Sequence, residues 1–224
     1  MTSKIRKVVP MEIKKPKRPQ TFGEEVANAV SHGAGALLAL VGAVPLVVRA
    51  AMTGSAKTVF SLTAYALSLV LLYTASTVYH AVRRPDLKRA LRVMDHCSIF
   101  ILILGTYIPM SLLVVGGKTG WMLFLTNTTL AVIGITLNAI DLKRFDKLSL
   151  VLYALMGWLV VLALKAILTA LPPLGMGLLA AGGVAYTAGI IFYKSQRHYM
   201  HFVWHLFVLA GSILQYICIA LYCV

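Results

Sequence analysis

The sequence predicts an all-α integral membrane protein, a bundle of seven transmembrane helices with its N-terminus in the cytoplasm and its C-terminus outside. Three observations carry that prediction. Of the 224 residues, 59% are apolar and only 12% charged, more apolar surface than a soluble domain of this length can bury. Apolar stretches of about 20 residues, the length a helix needs to cross a bilayer, alternate with short polar breaks. Lys and Arg are concentrated in every second break, the pattern left by retention of short basic loops on the cytoplasmic side.

Residues 1–22 read as a basic cytoplasmic tail. The first 20 residues hold seven Lys or Arg and three prolines with almost no apolar periodicity, and no cleavable apolar core follows them. Such a tail is drawn to anionic inner-leaflet lipid, by about 1 kcal/mol per basic residue close to the surface. Residues 23–224 read as one membrane domain, with spans expected at 25–48, 58–82, 91–115, 121–140, 149–169, 174–193 and 199–223. The breaks carry turn chemistry, as in Thr53-Gly54-Ser55, Arg83-Arg84-Pro85-Asp86, Gly116-Gly117-Lys118, Lys143-Arg144-Phe145-Asp146 and Pro172-Pro173.

With the N-terminus inside, 17 Lys or Arg fall on the cytoplasmic side and 4 outside, which fixes the expected orientation. The same placement argues against nucleic acid as a partner, because the 21 basic residues lie in the tail and between apolar stretches, not on one soluble face. Cys97, Cys218 and Cys223 form no CxxC and are odd in number, so they read as single buried thiols.

Ionisable residues within spans cost several kcal/mol each, so each marks a functional candidate. His201 and His205 stand four apart near the start of the last span and share one helix face. The alternation of helix direction brings His80, at the end of the second span, and Asp95, at the start of the third, to the same depth, within roughly 10 Å of the cytoplasmic helix ends at 1.5 Å per residue. Ser76 lies one turn deeper than His80 on the same face.

Three imidazoles near a carboxylate suit Zn2+. A three-ligand zinc site leaves a position for water, whose pKa the metal lowers to about 7, and Asp95 could complete the shell or act as general base. His32 reads as a hydrogen-bond partner of Asn28 or of nearby backbone. His96, about 100° around the helix from Asp95, is not expected to point inward with it. His198 is placed at the rim, and Gly33, Gly35, Gly182 and Gly183 read as helix-packing contacts.

Three motifs, Glu25-x2-Asn28-x3-His32, Ser76-x3-His80 followed by Asp95 and Gly105-x3-Pro109, and His201-x3-His205, resemble those of the bacterial hemolysin III proteins. These belong with the progestin and adipoQ receptor family, which includes the adiponectin receptors. The resemblance covers essentially everything after the tail. It implies a seven-helix bundle in the bacterial plasma (inner) membrane, with zinc near the inner leaflet on His80, His201 and His205 and with Asp95 linked to the metal through water. The wider superfamily is similar to alkaline ceramidases, which implies zinc-dependent hydrolysis of a lipid amide, while the hemolysin name implies cytolysis.

Two functions stay open at this point. One is a hydrolase for a lipid amide or ester that enters from the bilayer, with Asp95 taking the proton and Ser76 orienting water or substrate. The other is a non-enzymatic membrane protein, a sensor, receptor-like or cytolytic, in which zinc is structural. A transporter or pore fits less well, because the ionisable residues cluster at one face and trace no path across.

Overall fold

A computed structural model describes residues 18–224; of the basic tail expected at 1–22, residues 1–17 lie outside the described residues. Every element among the described residues is helical, with no strand. Six helical stretches are long and apolar enough to cross a membrane. Their outward faces carry exposed Leu37, Val41, Ile140, Leu162 and Ile191, the surface a lipid solvent requires.

Helix α1 (Phe22–Met52) begins with a capping box: Thr21 Oγ1 accepts from the Glu24 amide at 3.3 Å, and Glu24 Oε2 accepts from the Thr21 amide at 2.8 Å. Helix α2 (Ala56–Ala81) is capped by Ser55, and α3 (Pro85–Pro109) starts on a proline whose missing N–H costs nothing at the first helical position. Past Pro109 the helix widens into a π-helical stretch, Met110–Val115, that stops at Gly116 and Gly117, both with positive φ.

Helix α4 (Gly117–Trp158) does not run straight. Asp141 has extended backbone (φ −157°, ψ 92°), and its carboxylate accepts from the Arg144 amide at 3.0 Å, the bond of a helix N-cap. The chain therefore turns back at Asp141. Asn127 donates to the Met156 carbonyl at 3.3 Å and Ser149 to Asn138 Oδ1 at 2.5 Å, contacts that 29 and 11 residues of straight helix would forbid. The polar loop expected at 143–146 is thus a single residue, with Lys143, Arg144 and Asp146 already on the first turns of the second arm.

A 3-10 stretch, Leu159–Ala163, leads into α5 (Leu164–Ala170). The Tyr107 hydroxyl holds this irregularity, accepting from the Val160 amide at 2.8 Å and donating to the Gly157 carbonyl at 2.9 Å. Helix α6 (Pro173–Lys194) and α7 (Met200–Tyr222) complete the chain. Close helix approaches fall at glycines: a Cβ at Gly105 would sit 2.1 Å from Ser68 Oγ, and one at Gly134 2.1 Å from the Phe100 ring. Of the glycines expected at helix contacts, Gly35 packs on Tyr73 and Gly182 on Gln215, whereas a Cβ at Gly183 would meet nothing within 4 Å and face open space.

Candidate metal centre

Helix α7 opens on Tyr199, a non-glycine residue in the left-handed region (φ 60°), a strained conformation held by Glu24 Oε1, which accepts from its amide at 2.7 Å. Two residues on stands His201 and, a further turn along, His205. Their rings and that of His80 converge: one ring nitrogen of each lies within 4.8 Å of the others, a grouping able to hold a metal ion. His80 and His205 are buried and His201 is partly so.

Hydrogen bonds fix which nitrogen each buried imidazole presents. His80 Nδ1 lies 2.6 Å from Glu25 Oε2, which can only accept, so the proton sits on Nδ1 and Nε2 keeps its lone pair. That Nε2 is buried and has no hydrogen-bond partner among the described residues, a cost that a coordinated cation removes. His205 Nδ1 faces the Asn28 carbonyl at 3.3 Å and Ser31 Oγ at 3.2 Å, which likewise leaves its Nε2 as the donor to a metal.

Helix α1 thus supplies no member of the trio, yet it orients two of them. Glu25 also pairs with Lys88 Nζ at 2.9 Å, and that lysine caps α2 by donating to the Tyr79 and Val82 carbonyls at 3.2 Å. The sequence motif in α1 marks Glu25 and Asn28 but not Ser31. The available signal was the three-residue spacing of Glu25, Asn28 and Ser31, which places them along one side of α1.

Ser76 and Asp95 line a narrow apolar cavity of about 150 Å³ together with His201 and His205. Ser76 is buried and its hydroxyl has no partner among the described residues. Asp95 is buried on α3 without belonging to the three-histidine group. The cavity continues along α7 to Gln215, about 21 Å from His201 by helix rise.

Two expectations about neighbouring histidines are corrected. His32 bonds neither Asn28, whose side-chain amide turns to Gln20 and His80, nor nearby backbone, both its ring nitrogens lacking a hydrogen-bond partner among the described residues; it stacks flat on the His205 ring, centroids 3.5 Å apart and planes 11° apart. His96 lines the same cavity as Asp95, because the cavity wraps around the arc of α3 that both residues occupy. His198 is exposed and lies 3.6 Å from Glu24, outside the three-histidine group.

A second, polar cavity of about 390 Å³ adjoins the first, and His96, Tyr193 and His201 line both. Residues 18–20 form part of its lining. Arg18 bonds the Glu24 carboxylate at 2.5 and 2.8 Å and the Gln196 carbonyl at 3.0 Å, and Gln20 accepts from Asn28. Hydrogen bonding to Glu24 raises the Arg18 guanidinium above its ordinary pKa, so it stays charged.

Among known proteins, the family described as Haemolysin-III related matches residues 20–216. Hemolysin-3 of Bacillus cereus is 38% identical over 204 residues, 91% of this chain and 93% of its own length. The Hemolysin-3 homolog of Bacillus subtilis is 40% identical over 205 residues, 91% of this chain and 96% of its own. The human Monocyte to macrophage differentiation factor is 27% identical over 165 residues, 68% of this chain and 66% of its own.

Proposed function

The chain belongs to the haemolysin-III related family, and from that premise we propose that it is a zinc-dependent membrane hydrolase acting on an amide or ester bond of a lipid. The observation that carries this reading is the pairing of two buried groups without hydrogen-bond partners among the described residues, His80 Nε2 and Ser76 Oγ, with an apolar cavity lined by Ser76, His201 and His205.

His80, His201 and His205 would hold the metal, which suits zinc because all three are imidazoles and no thiol joins them. Zinc bound there supplies a Lewis acid that polarises a carbonyl and lowers the pKa of a coordinated water to about 7. Asp95 receives the proton released in hydrolysis on a carboxylate oxygen. Ser76 donates its hydroxyl hydrogen to a polar atom of the lipid. The apolar walls on α3, α4, α6 and α7 bind the chain and exclude water.

The reading includes seven spans in a bacterial inner membrane, N-terminus inside. Its support is the 54-residue stretch Gly117–Ala170, about 81 Å as straight helix against a hydrocarbon core of roughly 30 Å, together with the reversal at Asp141 and the basic-residue count of 17 against 4.

A second reading, a structural zinc in a sensor, receptor-like or cytolytic protein, is favoured by one feature. The shell of Glu25, Lys88, Asn28 and Ser31 ties α1, α2, α3 and α7 around the histidines. Asp95→Asn separates the two. For a hydrolase, the variant keeps its zinc and its melting temperature but releases no product from a panel of lipid amides and esters. If wild-type protein with bound zinc also releases none, the hydrolase is refuted for those lipids and the structural role stands.

A further inference from the structure

The polar cavity beside the metal centre has a charge imbalance that the proposed chemistry does not use. It is lined by three arginines, Arg18, Arg92 and Arg197, and two carboxylates, Glu24 and Glu25. Both carboxylates are already engaged. Glu24 accepts from Arg18, from the Thr21 amide at 2.8 Å and from the Tyr199 amide at 2.7 Å; Glu25 is held by His80 at 2.6 Å and Lys88 at 2.9 Å.

Arg92 and Arg197 are left over. Among the described residues neither side chain has a hydrogen bond or an ion pair; Arg92 is partly buried beside His96 on α3, and Arg197 is exposed at the edge of the cavity it lines. A partly buried guanidinium that no carboxylate among the described residues contacts can take an anion, since its planar five-donor fork matches the oxygens of phosphate or carboxylate.

The position of the recess narrows the ligand further. His96, Tyr193 and His201 form a wall common to the polar and the apolar cavity, so a molecule filling both has a charged head and an apolar chain with the metal-binding face between them. We propose that the polar cavity is a headgroup site for an anionic amphiphile, a phosphate carried on a lipid chain, with Arg92 and Arg197 as its charge partners. Two uncommitted guanidiniums match the double charge of a phosphate monoester better than the single charge of a carboxylate.

This deepens the lipid-hydrolase reading by naming the substrate class, and its test is a binding measurement that needs no turnover. Full-length zinc-loaded protein in neutral-lipid nanodiscs is titrated calorimetrically with octyl phosphate, octanoate, octyl glucoside and inorganic phosphate. The expected order places octyl phosphate tightest. Arg92→Gln weakens it by about tenfold or more, the loss typical of a hydrogen bond to a charged group, and leaves octyl glucoside binding and zinc content unchanged. Arg197→Gln acts in the same direction.

Equal affinity for octyl phosphate and octyl glucoside overturns the proposal, as does inorganic phosphate binding as tightly as octyl phosphate, because the apolar cavity would then contribute nothing. Both arginine variants keeping the wild-type preference overturns it too. The wild-type comparison of the four probes decides by itself if a variant fails to fold. Absence of hydrolysis with the phosphate preference intact removes the hydrolase and keeps the headgroup site; a lost preference with turnover intact does the reverse.

Discussion

Replacing Glu25 by Gln tests whether helix α1 tunes the metal centre. The Glu25 carboxylate meets two donors at once, His80 Nδ1 at 2.6 Å and Lys88 Nζ at 2.9 Å. A glutamine has one accepting oxygen, so its amide nitrogen must oppose one of the two donors. If it opposes His80, the proton moves off Nδ1 and the Nε2 lone pair is lost; if it opposes Lys88, the shared brace between α1 and α3 opens. Loss of such an outer partner lowers metal affinity by about 10- to 100-fold, or about 1.4–2.8 kcal/mol. Competition against a fluorescent zinc chelator measures the change, with helical circular dichroism as the check on folding. Lys88→Met, which leaves the Glu25–His80 bond in place, should lose less. A Glu25→Gln protein with wild-type zinc affinity would refute the reasoning.

Other perturbations follow from particular contacts. His205→Ala should abolish stoichiometric zinc binding, read by elemental analysis of the purified protein, because it removes one of three grouped ligands. Tyr107→Phe should lower stability by about 1–3 kcal/mol in a denaturation experiment, since it leaves the Val160 amide without its acceptor where the helix is irregular. Gly134→Ala should cost about 1–3 kcal/mol by forcing the buried Phe100 ring to move. In a protein without its natural cysteines, Lys118→Cys and Arg144→Cys should react with an impermeant thiol reagent from opposite sides of the membrane, outer and cytoplasmic respectively; labelling from one side would overturn the seven-span arrangement.

The three histidines were legible in the sequence because two signals are one-dimensional. Four-residue spacing fixes a helix face, and basic-residue bias orders the helix ends, so His80, His201 and His205 could be brought together without knowing any packing. What the sequence withheld depends on rotation of one helix against another. That Glu25 meets His80, or that His32 lies flat on His205, follows from how α1 is turned toward α2 and α7, and no spacing within α1 encodes it. Asp141 shows a different limit. A cluster of charged residues at 143–146 reads as a loop, but a carboxylate that caps the following turn lets the helix restart at once, so the break falls before the charges.

That single-residue reversal also bears on how the protein enters its bilayer. Asn127 and Asn138 are buried carboxamides whose partners, the Met156 carbonyl and the Ser149 and Tyr153 side chains, all lie on the other arm of the same helical hairpin. Inserted one at a time, each arm would immerse polar groups in hydrocarbon with nothing to bond, at a cost of several kcal/mol. Folded back at Asp141, the pair arrives with those bonds already made. The hairpin, and not the individual helix, is then the natural unit of insertion for this part of the chain.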